Sequence, residues 1–338
     1  MKEYILRENQ EKINLKGRSA FVNEWLLLDF TASGIEFCAD FNESDIVVKA
    51  RICADTGLVG VVIDNDVDNM KHIPTIKGEQ NITVAENLKG IHTVKIVKLL
   101  EFGRGRFEFK SVSFDGELLE KPQERPLKFE FYGDSLTCGY GNLCTTRNSP
   151  NPFGYLEHGY KTWCIHLCEK YNAEMSAVSS SGQGVVTDCV GNRNGTIEKY
   201  YNMAVPSKKI KWDFSKYIPD VVFFNIGAND VNYLRFCEDA KMDWNEFKAN
   251  AKKLIDEIRI HAPNCKILIP LGHDRGNEPF NNVVKAYREL ISEQNYENIA
   301  VYDDITCNQL GGDWHPNLDD DIMMFEKISA HLEEDFGF

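Results

Sequence analysis

The sequence has no long apolar run and no excess of basic residues, and these absences remove several classes of function. No stretch is long enough to span a membrane, and the charged first residues, Met1 to Asn9, lack the apolar centre of a secretion signal. There are 38 Lys and Arg against 52 Asp and Glu, giving a net charge of −14. This acidity argues against nucleic acid and anionic membranes as partners. We expect a cytoplasmic protein, with a leader removed before Met1 as the alternative.

The sequence also lacks any grouping of cysteines that would bind a metal. Its 10 cysteines are scattered, with no Cys-x-x-Cys pair and no zinc-type spacing. Most lie in apolar segments, where cysteine packs as a small hydrophobic residue. We therefore expect a reduced protein without a cysteine-bound zinc ion.

What is present favours two domains of different type, since 338 residues exceed the usual size of one. Residues 1–126 contain short runs rich in Val, Ile and Phe, broken by Gly, Asp and Asn, without a helical period. These predicted strands are Ile46 to Ile52, Val59 to Ile63, His92 to Leu99 and Phe107 to Phe114. Such strands predict an all-β sandwich or jelly roll. The polar, proline-bearing link from Lys121 to Pro126 marks the boundary.

Residues 127–338 alternate between strand and helix patterns instead. Strands are predicted at Lys128–Tyr132, Ala173–Val178, Val221–Ile226, Lys266–Leu271 and Ile299–Tyr302. Helices are predicted at Lys161–Tyr171, Asn245–His261, Asn281–Glu293 and Asp319–Glu334. This alternation predicts a three-layer α/β/α domain, with a mostly parallel sheet covered by helices on both faces.

Four short segments carry side chains suited to catalysis, three of them at predicted strand ends and one in the last loop. They are Gly133-Asp134-Ser135, Ser179 to Gly184, Asn225 to Asp230 and Gly311 to Asn317. A serine in a tight turn can act as a nucleophile, and a histidine can take its proton near neutral pH. A glycine N–H and an asparagine amide can stabilise an oxyanion. Each segment taken alone also fits an ordinary turn or helix cap.

The order of these segments makes the pattern specific. Ser135, Gly182, Asn229 and His315 follow one another as in the SGNH (GDSL) hydrolases, which residues 127–338 resemble. The resemblance implies a flavodoxin-like fold with Ser135 as nucleophile and His315 as base. It also implies an oxyanion hole formed by the N–H groups of Ser135 and Gly182 and the Asn229 amide. Such a mechanism requires neither a metal nor a cofactor.

A β-rich half followed by an SGNH domain ending in Gly-x-Asp-Trp-His-Pro resembles carbohydrate esterase family 2. That family implies removal of O-acetyl groups from sugars, as in acetyl xylan esterases, through an acetyl-serine intermediate. The general SGNH pattern places an acid three residues before the histidine, where this chain has Gly312. Asp313, two residues before His315, is therefore a candidate to orient the imidazole. A Ser–His dyad oriented by a backbone carbonyl is the alternative.

Three further residues near the motifs are predicted at the substrate site: Asp134, Trp314 and Tyr140. Asp134 is expected mainly to brace the turn. Aromatic rings in the long segment after Ser135, Phe153 and Tyr155 among them, can either stack on sugars or pack the segment down. The expected partner is an acetylated oligosaccharide or polysaccharide, and a homo-oligomer is left open.

Two other functions compete with carbohydrate deacetylation. An SGNH lipase or thioesterase acting on longer acyl chains would have an aliphatic pocket, whereas this chain places Trp, Tyr and polar residues near its motifs. A carbohydrate-binding protein without activity would have lost its nucleophile or base, whereas Ser135 and His315 are both present. We therefore predict a carboxylic ester hydrolase.

Overall fold

The computed structural model describes residues 1–149, 156–272 and 275–338. The strands along the chain are β1 (Lys2–Ile5), β2 (Ile13–Lys16), β3 (Ala20–Val22), β4 (Trp25–Leu28), β5 (Gly34–Ile63), β6 (Lys71–Lys98), β7 (Phe107–Phe114), β8 (Gly116–Leu118), β9 (Leu127–Gly133), β10 (Ala173–Ser179), β11 (Met203–Val205), β12 (Ile210–Lys211), β13 (Val221–Asn225), β14 (Lys266–Pro270) and β15 (Ile299–Tyr302). The helices are α1 (Ser135–Cys138), α2 (Trp163–Lys170), α3 (Ala228–Phe236), α4 (Trp244–His261), α5 (Glu278–Gln294) and α6 (Leu318–Phe336).

The chain divides into two compact units. Among the described residues, the first unit contains Met1–Glu124 and Met203–Trp212, and the second contains residues 125–149, 156–202 and 213–338. The predicted class, a β-rich domain followed by an α/β domain, is confirmed. The assignment of all of residues 127–338 to the second domain differs from this division, because Met203–Trp212 packs with the first unit.

In the first unit, two long antiparallel strands bend so that each contributes to two layers. The start of β5 pairs with the end of β6, Gly34 opposite Val97, and the end of β5 returns to pair with the same part of β6, Val61 opposite Ile96. The middle of β5 pairs with β7, which continues to β4 and β3. Both layers contribute to one core, with Phe37 and Phe109 fully buried in it. This two-layer arrangement is the predicted sandwich.

The segment Met203–Trp212 joins this unit through both polar and apolar contacts. Ser207 donates to the buried carboxylate of Asp29 from its backbone N, at 2.7 Å, and from its hydroxyl, at 3.0 Å. Ala204 and Val205 form a small apolar cluster with Leu27. Burial raises the pKa of Asp29, and the two hydrogen bonds from Ser207 oppose that shift. These contacts explain why a piece of the second half of the sequence packs with the first.

The second unit contains a parallel sheet in the order β10-β9-β13-β14-β15. Its central strands are buried on both faces, which requires continuous apolar runs such as Val221-Val222-Phe223-Phe224. The strand order reverses between β9 and β13, and ligands bind at the carboxyl ends of the strands on either side of such a reversal. The turns after these two strands carry Ser135 and Asn229. Among the described residues, no helix has the length and apolarity needed to cross a membrane.

Candidate active site

Ser135 lies at the point where β9 turns directly into the short helix α1. The carboxylate of Asp134 caps that helix by accepting the Leu136 N–H at 3.0 Å. A Cβ at Gly133 would come within 1.9 Å of the Thr137 hydroxyl oxygen, so the close turn requires glycine there. Ser135 is 8% exposed, which leaves its hydroxyl accessible from one side only.

His315 completes a pair with this serine. Its Nε2 is 2.8 Å from the Ser135 Oγ, although 180 residues separate the two in sequence. Its Nδ1 is 2.9 Å from the Asp313 backbone carbonyl and 3.2 Å from that of Gly312. A carbonyl oxygen can only accept, so Nδ1 carries the proton and Nε2 presents its lone pair to the serine hydroxyl. The arrangement suits Nε2 for general base catalysis.

The backbone before His315 is strained in a way that aims these carbonyls at the ring. Asp313 (φ 50°) and Trp314 (φ 60°) both adopt the left-handed conformation, which non-glycine residues rarely occupy. Two such residues in succession turn the chain tightly enough for the carbonyls of Gly312 and Asp313 to meet the same imidazole nitrogen. The strain is therefore coupled to the orientation of His315.

Asp313 contacts the imidazole through its backbone carbonyl, whereas the sequence made its carboxylate the candidate to orient His315. That carboxylate accepts the hydroxyl of Tyr140 at 2.8 Å. The Tyr140 ring packs against the His315 ring, with 4.6 Å between ring centroids. The carbonyl-oriented dyad, the alternative left open by the sequence, is the arrangement that the geometry favours.

Replacing Asp313 with asparagine is expected to leave kcat within a fewfold of wild type. The backbone carbonyl that accepts from Nδ1 is unchanged by the substitution, and the new side chain can still accept from Tyr140. Loss of the acid from a true triad would instead cost roughly 10⁴ in kcat. Steady-state kinetics on an acetyl ester separates the two results, and a loss approaching the larger value would restore Asp313 as a third catalytic member.

Hydrogen bonds to the segment after Ser135 hold the loop of His315 in place. The Gly312 N–H donates to the Gly141 carbonyl at 2.9 Å, and the Trp314 N–H donates to the Arg147 carbonyl at 3.2 Å. The Arg147 guanidinium lies 4.5 Å from the centre of the Trp314 ring. Trp314 is nevertheless 52% exposed, which leaves much of this large ring open to solvent. Phe153 and Tyr155 of the same segment lie outside the described residues.

Asp320 anchors both ends of the loop that carries His315, a role that was not identified from the sequence. Its buried carboxylate accepts the backbone N–H of Asn308 at 2.7 Å, of Leu310 at 2.8 Å and of Asn317 at 3.2 Å. Asn317 in turn accepts the Asp320 N–H at 2.9 Å, which forms a capping box at the start of α6. The Asn-x-x-Asp spacing before a helical pattern was the available signal.

Gly182 and Asn229 are the other two residues of the predicted oxyanion hole. Gly182 has φ 83°, and a Cβ there would meet nothing within 4 Å, so conformation rather than space favours glycine. The Asn229 side-chain nitrogen donates to the Asp134 carboxylate at 2.9 Å and to the Gln183 carbonyl at 2.8 Å. Both amide hydrogens are thus engaged, and an oxyanion would have to replace one of these acceptors. In this structure Asn229 links the Ser135 turn to the Gly182 turn.

Two buried carboxyl groups support these turns. Burial raises the pKa of Asp134 to about 7, and the same cause raises that of Asp230 to about 6. Asp230 accepts the backbone N–H groups of Val185 at 2.7 Å and of Val186 at 2.9 Å, which fixes the chain just after Gly182. Asp134, which the sequence placed at the substrate site, is fully buried and does not line the catalytic cavity; its carboxylate accepts from Leu136 and Asn229 and so braces the turn.

An open cavity of about 560 Å³ lies directly over the serine and histidine. Ser135, His315, Asn229 and Trp314 line it, together with Arg235 and Phe236 from the end of α3. Phe236 is 71% exposed. The predicted residues Ser135, Asn229, Asp313, Trp314 and His315 therefore share one cavity, whereas Asp134 lies beneath it. Sequence reasoning missed the contribution of α3, which has no strong apolar period.

Comparison with known proteins agrees with this geometry. Residues 131–334 match the model of the GDSL-like Lipase/Acylhydrolase family, and residues 16–122 match the Carbohydrate esterase 2 N-terminal domain. The chain belongs to the GDSL-like lipase/acylhydrolase family. The resemblance found in the sequence, to an SGNH hydrolase domain preceded by the β-rich domain of carbohydrate esterase family 2, is confirmed.

Two curated relatives of this family member are esterases. The chain is 28% identical over 258 residues to the cellulase/esterase CelE of Acetivibrio thermocellus, covering 74% of this chain and 31% of CelE. It is 23% identical over 312 residues to an acetylxylan esterase / glucomannan deacetylase of Cellvibrio japonicus, covering 84% of this chain and 79% of that protein. The match therefore spans about a third of CelE.

Solved structures of family 2 carbohydrate esterases share the whole fold. A Clostridium thermocellum enzyme in complex with cellohexaose superimposes with a TM-score of 0.86 at 23% identity, covering 96% of this chain and 99% of that one. The acetyl xylan esterase Est2A of Butyrivibrio proteoclasticus has a TM-score of 0.86 at 17% identity, with both chains covered completely. At these identities the likeness establishes the fold.

Proposed function

We propose that the protein is a serine esterase that removes O-acetyl groups from carbohydrates through an acetyl-serine intermediate. The observation that carries the proposal is the 2.8 Å contact of His315 Nε2 with Ser135 Oγ, with Nδ1 held by backbone carbonyls. This pairing makes the serine hydroxyl a nucleophile without any metal-bound water.

The reaction follows from the positions of these atoms. Ser135 Oγ attacks the acetyl carbonyl while Nε2 of His315 takes the hydroxyl proton, giving a tetrahedral oxyanion. Nε2 then returns the proton to the sugar oxygen as the C–O bond breaks, and the acetyl group stays on Ser135. Water attacks this ester with His315 again as base, which releases acetate and restores the serine.

Backbone N–H groups of Ser135 and Gly182 are the proposed oxyanion donors. Asn229 joins them when the developing negative charge draws one amide hydrogen away from its acceptor in the resting enzyme. A hydrogen bond to a charged oxygen is stronger than one to a neutral carbonyl, which favours this exchange as the transition state forms. Each such donor typically contributes on the order of 10²–10³ to kcat.

The carbohydrate part of the proposal rests on the cavity and on the relatives. Trp314 presents a large exposed ring beside His315, and aromatic faces are suited to packing against sugar rings. The named curated relatives are a cellulase/esterase and an acetylxylan esterase, and a neighbour of the same fold was solved with cellohexaose. Tyr140, which packs on His315, is proposed to support the base more than to touch sugar.

Acyl-chain preference and acetate release test this function directly. We expect kcat/KM for nitrophenyl acetate to exceed that for nitrophenyl octanoate by at least about 100-fold, because each added methylene needs pocket space. Acetate should also be released from acetylated xylan, measured by an enzymatic acetate assay. The Ser135→Ala protein, assayed in parallel, corrects for spontaneous hydrolysis. Faster turnover of the octanoyl ester would identify a lipase or thioesterase instead.

A further inference from the structure

A second cavity lies behind the wall of the catalytic cavity, at the carboxyl ends of β13, β14 and β15. Among the described residues, its lining is apolar apart from Asn225 and Cys307, and includes Phe280, Val283 and Met324. The free space is about 20 Å³, enough for a water molecule and too small for an acyl chain. An apolar space of this kind next to an acyl-transfer site is chemically suited to hydrocarbon.

In the part of the chain that the structure describes, Leu136 and Ala228 line both cavities. Leu136 immediately follows the nucleophile, and Ala228 is the first residue of α3, next to Asn229. Any acyl group attached to Ser135 therefore lies close to this wall. A chain longer than acetyl that pointed toward the second cavity would have to pass between these two side chains.

The wall is held rigidly from several sides. The Leu136 N–H donates to Asp134 at 3.0 Å, and the Leu136 carbonyl accepts the Trp163 indole N–H at 3.1 Å. Ala228 follows Gly227, where φ is 132° and a Cβ would come within 2.9 Å of Val283. Leu136 itself is only 5% exposed. Its backbone cannot move aside without breaking hydrogen bonds that also position Ser135.

We propose that Leu136 determines the acyl-chain length that the enzyme accepts, and that the apolar cavity behind it extends the acyl site when this side chain is shortened. Acetyl ends before the Leu136 side chain, whereas butyryl and hexanoyl extend into it. The proposal rests on the proposed function, because it concerns the acyl group that Ser135 carries. Substitution by a smaller side chain should join the two cavities into one.

The test compares nitrophenyl acetate, butyrate and hexanoate as substrates of wild type, Leu136→Ala and Leu136→Val. Leu136→Ala removes three side-chain carbon atoms, and butyryl exceeds acetyl by two. The ratio of kcat/KM for butyrate to that for acetate should rise at least about tenfold in Leu136→Ala, with a smaller rise in Leu136→Val. Hexanoate should gain less than butyrate, because its four extra carbon atoms exceed the three that the substitution removes and the second cavity adds only about 20 Å³. Because both kcat/KM values are measured on the same preparation, their ratio does not depend on the fraction of folded protein.

Val283→Ala provides the matched control, because Val283 lines the second cavity but not the catalytic one. It enlarges the cavity by a similar kind of deletion and leaves the wall intact, so its butyrate-to-acetate ratio should stay at the wild-type value. Unchanged ratios in both Leu136 variants that retain acetate turnover would overturn the proposal, as would an equal gain in Val283→Ala. If Leu136→Ala does not fold, the Leu136→Val ratio decides. Absence of acetate turnover in wild type would instead overturn the proposed function.

Discussion

Ser135→Ala is expected to lower kcat for an acetyl ester by on the order of 10⁴ or more, with His315→Ala close behind. The two atoms that the substitutions remove form one reacting unit, 2.8 Å apart. Without the hydroxyl no acetyl-serine forms, and without Nε2 the hydroxyl keeps its proton. The double variant should therefore be no slower than the slower single variant. Initial rates at saturating nitrophenyl acetate measure all three.

His331→Ala is the control for this cycle. His331 is likewise a hydrogen-bonded histidine, with its Nε2 2.9 Å from a carboxylate oxygen of Asp304, but it lies on α6 and does not line the catalytic cavity. Its activity should match wild type. Losses that multiply in the Ser135 and His315 double variant would show that the two residues act independently and would contradict the dyad. Retained acyl-enzyme formation in Ser135→Ala would exclude this serine as the nucleophile.

Asp320→Ala is expected to produce the second large effect, although Asp320 is not a reacting group. Its carboxylate holds three backbone N–H groups that belong to both ends of the loop carrying His315. Loss of these charge-assisted bonds and of the α6 capping box should lower the free energy of unfolding by about 3 kcal/mol. Displacement of the imidazole by about 1 Å should lower kcat on the order of 10².

Urea unfolding and steady-state kinetics measure these two quantities. Asp319→Ala is the matched control, because Asp319 is the preceding residue in the same helical turn and its side chain is exposed. It should change neither stability nor kcat appreciably. For Asp320→Ala we expect kcat to fall with little change in KM, since Trp314 and the cavity wall remain. An unchanged kcat in folded Asp320→Ala protein would show that the loop keeps its geometry without this anchor.

The strands and most helices of the second unit were predictable because burial imposes a simple pattern on them. The apolar run Val221-Val222-Phe223-Phe224 predicted a strand of the sheet that is buried on both faces. Strand β13 confirms this prediction, since all of its residues are buried. Helix α4, predicted from Asn245 to His261, begins one residue earlier, at Trp244. Helix α3 was missed because it begins with Ala228 and Asn229 and has a weak apolar face.

The finer geometry of the site was not accessible from residue spacing. Spacing placed Asp313 near His315 but could not decide between its carboxylate and its carbonyl, since that depends on two successive left-handed residues. Nor could it show that the Asn229 amide is already engaged by Asp134 and the Gln183 carbonyl. Both features depend on contacts between segments that are distant in the sequence. A sequence motif specifies residue types and their spacing, but not these contacts.

The packing of Met203–Trp212 with the first unit has a consequence for synthesis of the chain. The β-rich unit needs Ser207 against Asp29 and Val205 against Leu27, and these residues emerge from the ribosome long after residue 124. Domains usually fold in order as they are made, at about 5–20 residues per second. The first unit therefore cannot close its last contacts until roughly 80 further residues beyond Glu124, Ser135 among them, have been synthesised. A nascent chain stopped before residue 203 should therefore contain a β-rich unit that lacks its contacts with Val205 and Ser207.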